Sequence, residues 1–348
     1  MSTISSLLRS NIRNLKPYSS ARDEFQGKAT INLDANENPF NVAYARYPDP
    51  LQRNLRQRIA KMKSLSPEQI FTGNGSDEAI DLVIRAFCEP GSENLIALTP
   101  SYGMYKVAAD INNVECRQVE LATDGATFSL NSQAVLDVVD KKTKVIFLCS
   151  PNNPTGNLLD KAEIYRILDN FKGVVVVDEA YLDFSLAASL SSDLGRYPRL
   201  IVLQTLSKAW GAAGMRLGMA FANREIIGVL NQIKYPYNIN QLTQTYAIQR
   251  LFSDVVMKDH VKEIIAERTA LAADIQKQAC VKHVYPSDAN FLLVKVTDAE
   301  TIYKGLVAKK IVVRNRHSLP LCENCLRITI GTPAENKALL DALKHLSK

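Results

Sequence analysis

No stretch of the 348-residue chain reaches the roughly eighteen consecutive apolar residues that a membrane-spanning helix requires. The opening segment, MSTISSLLRSNIRNLKPYSS, lacks the charged start, apolar middle and small-residue cleavage site of a secretory leader. The expectation is a cytoplasmic protein that does not engage a membrane. Long runs of one charge are also missing. The 42 basic and 36 acidic residues are mixed along the chain, so the net charge of +6 forms no arm of the kind that grips nucleic acid. A modest positive excess suits an anionic small-molecule substrate. Six cysteines (Cys88, Cys116, Cys149, Cys280, Cys322, Cys325) lie mostly in apolar contexts, as free thiols of a reducing compartment do. Cys322 and Cys325 form a CxxC, but no second CxxC and no correctly spaced histidine pair accompany it, so no metal is expected. Repeats and low-complexity tracts are absent. So is a GxGxxG after an early strand, which removes a dinucleotide-binding dehydrogenase that the strand pattern alone would permit.

What is present is the composition of an ordinary globular protein, 46% hydrophobic and 22% charged, at a length that suggests two domains. From about Asn94 onward, short β-rich runs alternate with helical patterns: NLIALT, KVIFLCS at 144–150, GVVVVDEA at 173–180, LIVLQTLS at 200–207 and LGMAFA at 217–222. Near-continuous Val/Ile/Leu runs suit strands buried on both faces, and the alternation predicts a mainly parallel α/β sheet with helical crossovers. DEAIDLVIRAFC at 77–88 carries apolar residues at helical spacing after the turn-prone TGNGS, whose glycines and Ser76 can close and cap a helix start. From about Tyr246 the character changes. A long charge-laced helical segment precedes FLLVKV, a helix near 298–309, IVVRN, LRITIG and a closing helix, the order of a smaller α+β domain.

Three segments carry chemistry. In TLSKAWGAAGMRLG at 205–218, Lys208 follows a buried strand, flanked by Thr205 and Ser207, with Arg216 eight residues on. A lone lysine is ordinarily a solvated surface group. Two hydroxyls and an arginine around it, however, supply the donors that a phosphate dianion needs. In VVVVDEAYLDF, Asp178 closes a hydrophobic run and Tyr181 follows three residues later. Asp178 could cap a helix, or it could be a buried carboxylate paired with a protonated pyridine nitrogen. SPNNPTG at 150–156 is a turn former wherever it occurs, yet after a buried strand it sits where open α/β folds bind ligands, and Asn153 could offer an amide there.

Asn-Pro-x-Gly, Asp-x-x-Tyr and Ser-Lys with its spaced arginine, in this order, resemble the fold-type I pyridoxal-phosphate aminotransferases. LDANENPF at 33–40, RYPDP at 46–50, FTGNGSDEAIDLVIRAFCEPG at 71–91, PSYGMY at 100–105 and CLRITIGT at 325–332 are similar, more narrowly, to the histidinol-phosphate aminotransferase family. The resemblance covers nearly the whole chain. It implies an α/β fold-type I PLP-transferase: an N-terminal arm over 1–28, a large domain with a mainly parallel sheet flanked by helices over 29–245, and a small α+β domain over 246–348.

Carried over position by position, the resemblance makes Lys208 the Schiff-base lysine, Asp178 the pyridine partner, and Asn153 and Tyr181 the contacts to the phenolic oxygen. Tyr102 stacks on the ring. The cofactor phosphate is held by the backbone of Ser76 and Asp77, by Ser207 and Arg216 with Thr205 close by, and by Tyr47 from the other subunit of a homodimer. Arg327 takes the carboxylate of glutamate or 2-oxoglutarate and the phosphate of histidinol phosphate, although alone it reads equally well as a structural salt-bridge residue. Arg314, Tyr18, Asn36 and Asn153 join it in binding substrate. RHSLPLCENC, between the two arginines, matches no motif of the family, which leaves the position of Arg314 less secure, and His317 reads as a surface residue. The implied reaction converts L-histidinol phosphate and 2-oxoglutarate to imidazole-acetol phosphate and glutamate, a step of histidine biosynthesis. The same scaffold also serves aromatic amino-acid aminotransferases and phosphothreonine decarboxylases. A cofactor-sensing transcription regulator would need a DNA-binding domain, for which the roughly thirty residues before LDANENP leave no room.

Overall fold

The computed structural model describes residues 4–16, 30–40, 44–251 and 254–346. Its centre is a seven-stranded sheet made of β1 (Ile70–Asn74), β2 (Asn94–Thr99), β3 (Glu115–Glu120) and, after a small ribbon of β4 (Ala122–Thr123) and β5 (Phe128–Ser129), β6 (Thr143–Cys149), β7 (Val174–Asp178), β8 (Leu200–Thr205) and β9 (Leu217–Ala222). The spatial order is β1-β9-β8-β7-β6-β2-β3. Strand β9 alone runs against its neighbours, and the pairings from β8 through β3 are parallel.

The pleat explains why these strands read as unbroken apolar runs. Val175 and Val177 enter one core, Val174 and Val176 the other; Ile146 and Leu148 oppose Val145 and Phe147 in the same way. With both faces covered, every position must be apolar, and each buried side chain of this size contributes roughly 1.5–3 kcal/mol. One face is covered by α1 (Arg53–Lys63), the other by α2 (Ser76–Phe87) and α3 (Met104–Ile111). Further on, α4 (Ser132–Asp137) and α5 (Lys161–Asn170) join α1, while α6 (Arg224–Ile233) joins α2 and α3. Side chains cap three of these helices: Asn131, Asp160 and Asn223 accept from backbone N–H groups two or three residues on.

The later part of the chain runs through α7 (Gln241–Leu251) and α8 (Asp254–Gln276) into a four-stranded antiparallel sheet of β10 (Val281–Val284), β11 (Phe291–Val296), β12 (Arg314–Asn315) and β13 (Cys325–Thr329). Helix α9 (Ala299–Ala308) lies between β11 and β12, and α10 (Pro333–Leu346) closes the chain. Alternation again divides the strands. Leu292, Val294, Leu326 and Ile328 face α8, α9 and α10, whereas Phe291, Leu293 and Cys325 join the core of the large sheet. Arg327 therefore points the same way as Cys325, toward the large sheet.

Two strands of the sheet, β1 and β3, are not foreshadowed by apolar runs. β1 is five residues long and contains Gly73 and Asn74, while β3 is an edge strand whose polar residues are mostly solvent-facing. IVVRN yields only the two-residue β12, and Val312 beside it is exposed. Ser76 is not the cap of α2. Gly75 holds that position, at φ 82°, with no side-chain hydrogen bond, and Ser76 lies inside the first turn.

Gly218 of β9 is required by close approach. A methyl group there would stand 2.1 Å from Ser76 N and 2.3 Å from Gly75 C, both backbone atoms that cannot swing aside. Gly218→Ala is expected to lower stability by about 1–3 kcal/mol, seen as a lower urea midpoint at unchanged slope. A midpoint equal to wild type would show that the two segments part without cost.

Candidate functional site

Strand register gathers the site. Cys149 pairs with Asp178 and Asp178 with Leu203, so the carboxyl ends of β6, β7 and β8 lie level. The segments that follow them, carrying Asn153, Tyr181 and Lys208, open into one pocket, which Ser76, Asp77, Tyr102, Thr205, Ser207 and Arg216 also line. A pocket outside the carboxyl ends of the strands is where open α/β sheets place ligands.

Asp178 forms its floor at 3% exposure. Its Oδ2 accepts from the Tyr105 hydroxyl at 2.8 Å and its Oδ1 from Ala180 N at 3.0 Å. It caps no long helix; only the 3₁₀ turn Leu182–Phe184 follows. Burial pushes the carboxyl up to about 6, against the hydrogen bonds from Tyr105 and Ala180 and the attraction of Lys208. Tyr105, stacked on Phe147 at 4.8 Å and itself fully buried, is a site residue that sequence reasoning passed over. PSYGMY had drawn attention only to Tyr102, and no local pattern distinguishes Tyr105 from an ordinary core aromatic.

Lys208 is exposed at the open side of the pocket, but protein surrounds most of it, and this desolvation lowers its ammonium pKa. Arg327 lowers it further, while Asp178 and Asp77 work against the shift. Its Nζ lies 5.5 Å from the centre of the Tyr181 ring. Tyr181, held edge-on by Phe291, accepts a hydrogen bond from Asn153 Nδ2 at 3.4 Å. Burial drives the Tyr181 phenol well above its ordinary range. The other end of the Asn153 amide accepts from Arg327 Nη1 at 2.5 Å, so one buried side chain touches both Tyr181 and the arginine of β13. Asn152, fully buried, ties the same loop down through Pro100 O, Thr155 and Ser101.

At the opposite end, α2 begins beneath Arg216. Gly75 N donates to Arg216 O at 2.6 Å, and a Cβ on Gly75 would meet Arg216 Nη2 at 2.6 Å. Arg216 has a left-handed backbone, φ 52°, which a non-glycine residue adopts at a cost of roughly 1–3 kcal/mol. Its guanidinium stands 3.5 Å from the Asp77 carboxylate, which also accepts from the Tyr102 hydroxyl at 3.0 Å. With no side-chain cap, the first-turn N–H groups and Arg216 form a cradle for an anion. Ser207 lines the same pocket. Thr205 Oγ1 is committed to the backbone, donating to Leu217 O and accepting from Ser207 N, so it shapes the turn instead. Buried carboxylate, amine and anion cradle together match a phosphorylated pyridine aldehyde in donor set and order.

Several expected residues lie elsewhere. Tyr47 stacks on Tyr237 at 4.4 Å and borders a separate surface cavity with Asn36. Glu37 joins these two segments, accepting from Tyr47 N at 2.6 Å and from Arg46 at 2.7 Å. Tyr18 falls outside the described residues. Arg314 is exposed on β12, directly across from Arg327, and Arg316, two residues further on, is half-buried. All six cysteines are free, and among the described residues no group of three or more His, Cys, Asp or Glu could hold a metal ion.

The chain belongs to the aminotransferase class I and II family, whose model matches residues 29–343. Over 346 residues it is 60% identical to the histidinol-phosphate aminotransferase of Parabacteroides distasonis, an alignment covering 99% of each chain. Among solved structures it is similar to the histidinol-phosphate aminotransferase from Clostridium acetobutylicum, at TM-score 0.80 and 24% identity over 90% of this chain and 98% of that one. The enzyme of the same name from Sinorhizobium meliloti, in complex with pyridoxal-5'-phosphate, gives TM-score 0.78 and 23% identity over 90% and 89%. The chain is a pyridoxal-phosphate-dependent transaminase.

The Asp178 environment makes a test of pH dependence. Because its carboxyl is raised in the fold, the native state holds a proton that the unfolded chain releases, and stability falls as pH rises up to about 6 and then levels off. Tyr105→Phe removes a donor that favours the ionised form, so the fall should continue above pH ~6 in cofactor-free protein, measured by urea unfolding at several pH values. Parallel curves for wild type and variant would show that the hydroxyl does not act on the carboxylate.

Proposed function

We propose that the enzyme transfers the amino group of L-histidinol phosphate to 2-oxoglutarate, giving imidazole-acetol phosphate and L-glutamate, in the histidine biosynthesis of the cytoplasm. The observation that carries this is the convergence of Lys208, Asp178, Asn153, Tyr181 and the Arg216 cradle in one pocket with Arg327 at its edge, in a chain 60% identical throughout to an enzyme of that name.

When bound, pyridoxal 5'-phosphate supplies a carbonyl that condenses with amines and a ring that draws electrons from the bond to be broken. The chain's own residues do the rest. Lys208 holds the cofactor, gives way to the substrate amine, and then moves a proton to and from the substrate carbon. Its lowered pKa favours the free amine that this task needs. Asp178 keeps the proton on the ring nitrogen, and the positive charge there in turn favours the ionised carboxylate. Asn153 and Tyr181 meet the phenolic oxygen, and Tyr102 covers the ring. The N–H groups of Ser76 and Asp77, with Ser207 and Arg216, take the phosphate, a helix start being suited to an anion, and Thr205 sets the turn that presents Ser207.

Arg327 binds the carboxylate of the acceptor and the phosphate of the donor, since a planar guanidinium fits either anion with two parallel hydrogen bonds. Arg314, Asn153 and Tyr18 join it in binding substrate. In this reading residues 29–245 form the cofactor-holding domain and 246–348 the one that brings Arg327. Tyr47 and Asn36, in their separate cavity, act in the neighbouring site of a homodimer. The exposed Leu33, Phe40 and Tyr44 beside them give that face an apolar character a second copy would cover.

Lys208→Ala is expected to lose at least about a thousandfold in turnover and Asp178→Asn about a hundredfold. The visible absorption of wild type should change on adding L-histidinol phosphate and return with 2-oxoglutarate. Comparison with phenylalanine and phosphothreonine tests the substrate, and a higher kcat/KM with either would overturn the assignment to histidinol phosphate.

A further inference from the structure

Between β10 and β11 the chain turns through PSDAN, residues 286–290, and this turn packs against the loop that carries Asn153. Asp288 N donates to Gly156 O at 2.7 Å, and Leu158 N donates to the Asp288 carboxylate at 2.8 Å. The approach is close: a methyl group on Gly156 would stand 2.6 Å from Ser287 Oγ and 2.9 Å from Ser287 Cβ. Ser287 Oγ braces the turn itself, donating to Phe291 O at 2.6 Å and accepting from Ala289 N at 3.1 Å. Asn152 ties the start of the Asn153 loop to Pro100 O in the large domain, and Asp288 ties its far side to the small one.

The same turn is joined to Tyr181. Arg268, on α8, donates from Nη1 to Ala289 O at 2.7 Å and to Phe184 O at 3.2 Å, the latter in the 3₁₀ turn that Tyr181 opens. Desolvation lowers the Arg268 guanidinium pKa, and the Asp288 carboxylate opposes that shift. Phe291, the first residue of β11, meets the Tyr181 ring edge-on at 5.1 Å, and the Arg327 guanidinium lies 5.3 Å from the centre of the Phe291 ring. Arg327 is opposite Leu293 of β11 and bonded to Asn153. The contacts therefore close a ring that runs from the Asn153 loop through Asp288, β11 and Arg327 back to Asn153. Side chains held from several directions are ordered before a ligand arrives, as accurate positioning requires.

We propose that Asp288 is a positioning residue: it fastens the Asn153 loop while Arg268 fastens the turn after Tyr181, and together they set how Asn153 and Tyr181 meet the phenolic oxygen of the bound cofactor. This rests on the contacts to that oxygen proposed above. Donors at the oxygen draw off negative charge that would otherwise hold a proton on the neighbouring nitrogen, so the protonation midpoint of the lysine-bound cofactor reports their placement.

The test is a pH titration of the visible absorption of the cofactor-loaded enzyme without substrate, for wild type, Asp288→Ala, Asp288→Asn and Arg268→Gln, with Asn153→Ala as the reference. Asn153→Ala should move the midpoint to higher pH by about one unit, the scale of a hydrogen bond to an ionised group. Asp288→Ala should move it the same way by roughly half a unit or more, and Arg268→Gln should follow in direction. Asp288→Asn keeps an oxygen to accept from Leu158 N and should return most of the shift. A midpoint in Asp288→Ala equal to wild type, or a shift as large in Asp288→Asn as in Asp288→Ala, would overturn the proposal and leave Asp288 a residue of the fold alone. Should Asp288→Ala not fold, Arg268→Gln decides, and an unmoved midpoint there overturns it. If Asn153→Ala itself leaves the midpoint in place, the assignment of the phenolic contacts falls and this proposal falls with it.

Discussion

Asp178 ends a strand of four valines with 3% of its surface exposed, so water does little to stabilise its charge. A carboxylate so placed must find donors or take up a proton. Two donors are built in, the Tyr105 hydroxyl and the Ala180 N–H, and they leave the carboxyl at about 6, between its ordinary value and neutrality. In the proposed function a cationic ring nitrogen would complete the arrangement. Much of the structure serves to make this burial possible: the double-sided sheet that excludes water from β7, the stack of Phe147 on Tyr105, and the level strand ends that bring Lys208 within electrostatic reach.

The same economy of partners couples the two ends of the site. Asn153 has one amide and uses both halves, donating toward Tyr181 and accepting from Arg327. Tyr181 and Arg327 are therefore joined through one buried side chain, itself on a loop fastened by Asn152. Arg327 reaches this position because strand alternation turns it away from the small core that Leu326 and Ile328 fill. Arg314 lies directly across from it on β12.

Much of this was legible in the amino-acid order. Continuous valine and isoleucine runs marked the inner strands because burial on both faces forbids polar residues; Asp178 ended one such run, and Lys208, Asn153, Tyr181 and Arg216 stood directly after or between them. What escaped notice depended on distance in the chain. Tyr105 meets Asp178 across 73 residues, and nothing in its neighbourhood separates it from a core aromatic. Strand β1 takes its burial from helices packed over it, not from its own composition. Ser76 looked like a cap by residue type, but the close approach of Gly218 and Arg216 reserves that position for Gly75.

The central claim is that Asp178 remains ionised in the loaded enzyme because it holds a proton on the cofactor's ring nitrogen. The nitrogen-15 chemical shift of ring-labelled pyridoxal phosphate bound to wild type and to Asp178→Ala addresses it directly. A protonated ring nitrogen through neutral pH in wild type, lost in the variant, is the predicted result. An unprotonated nitrogen in wild type would contradict the account and leave the buried carboxylate without its partner.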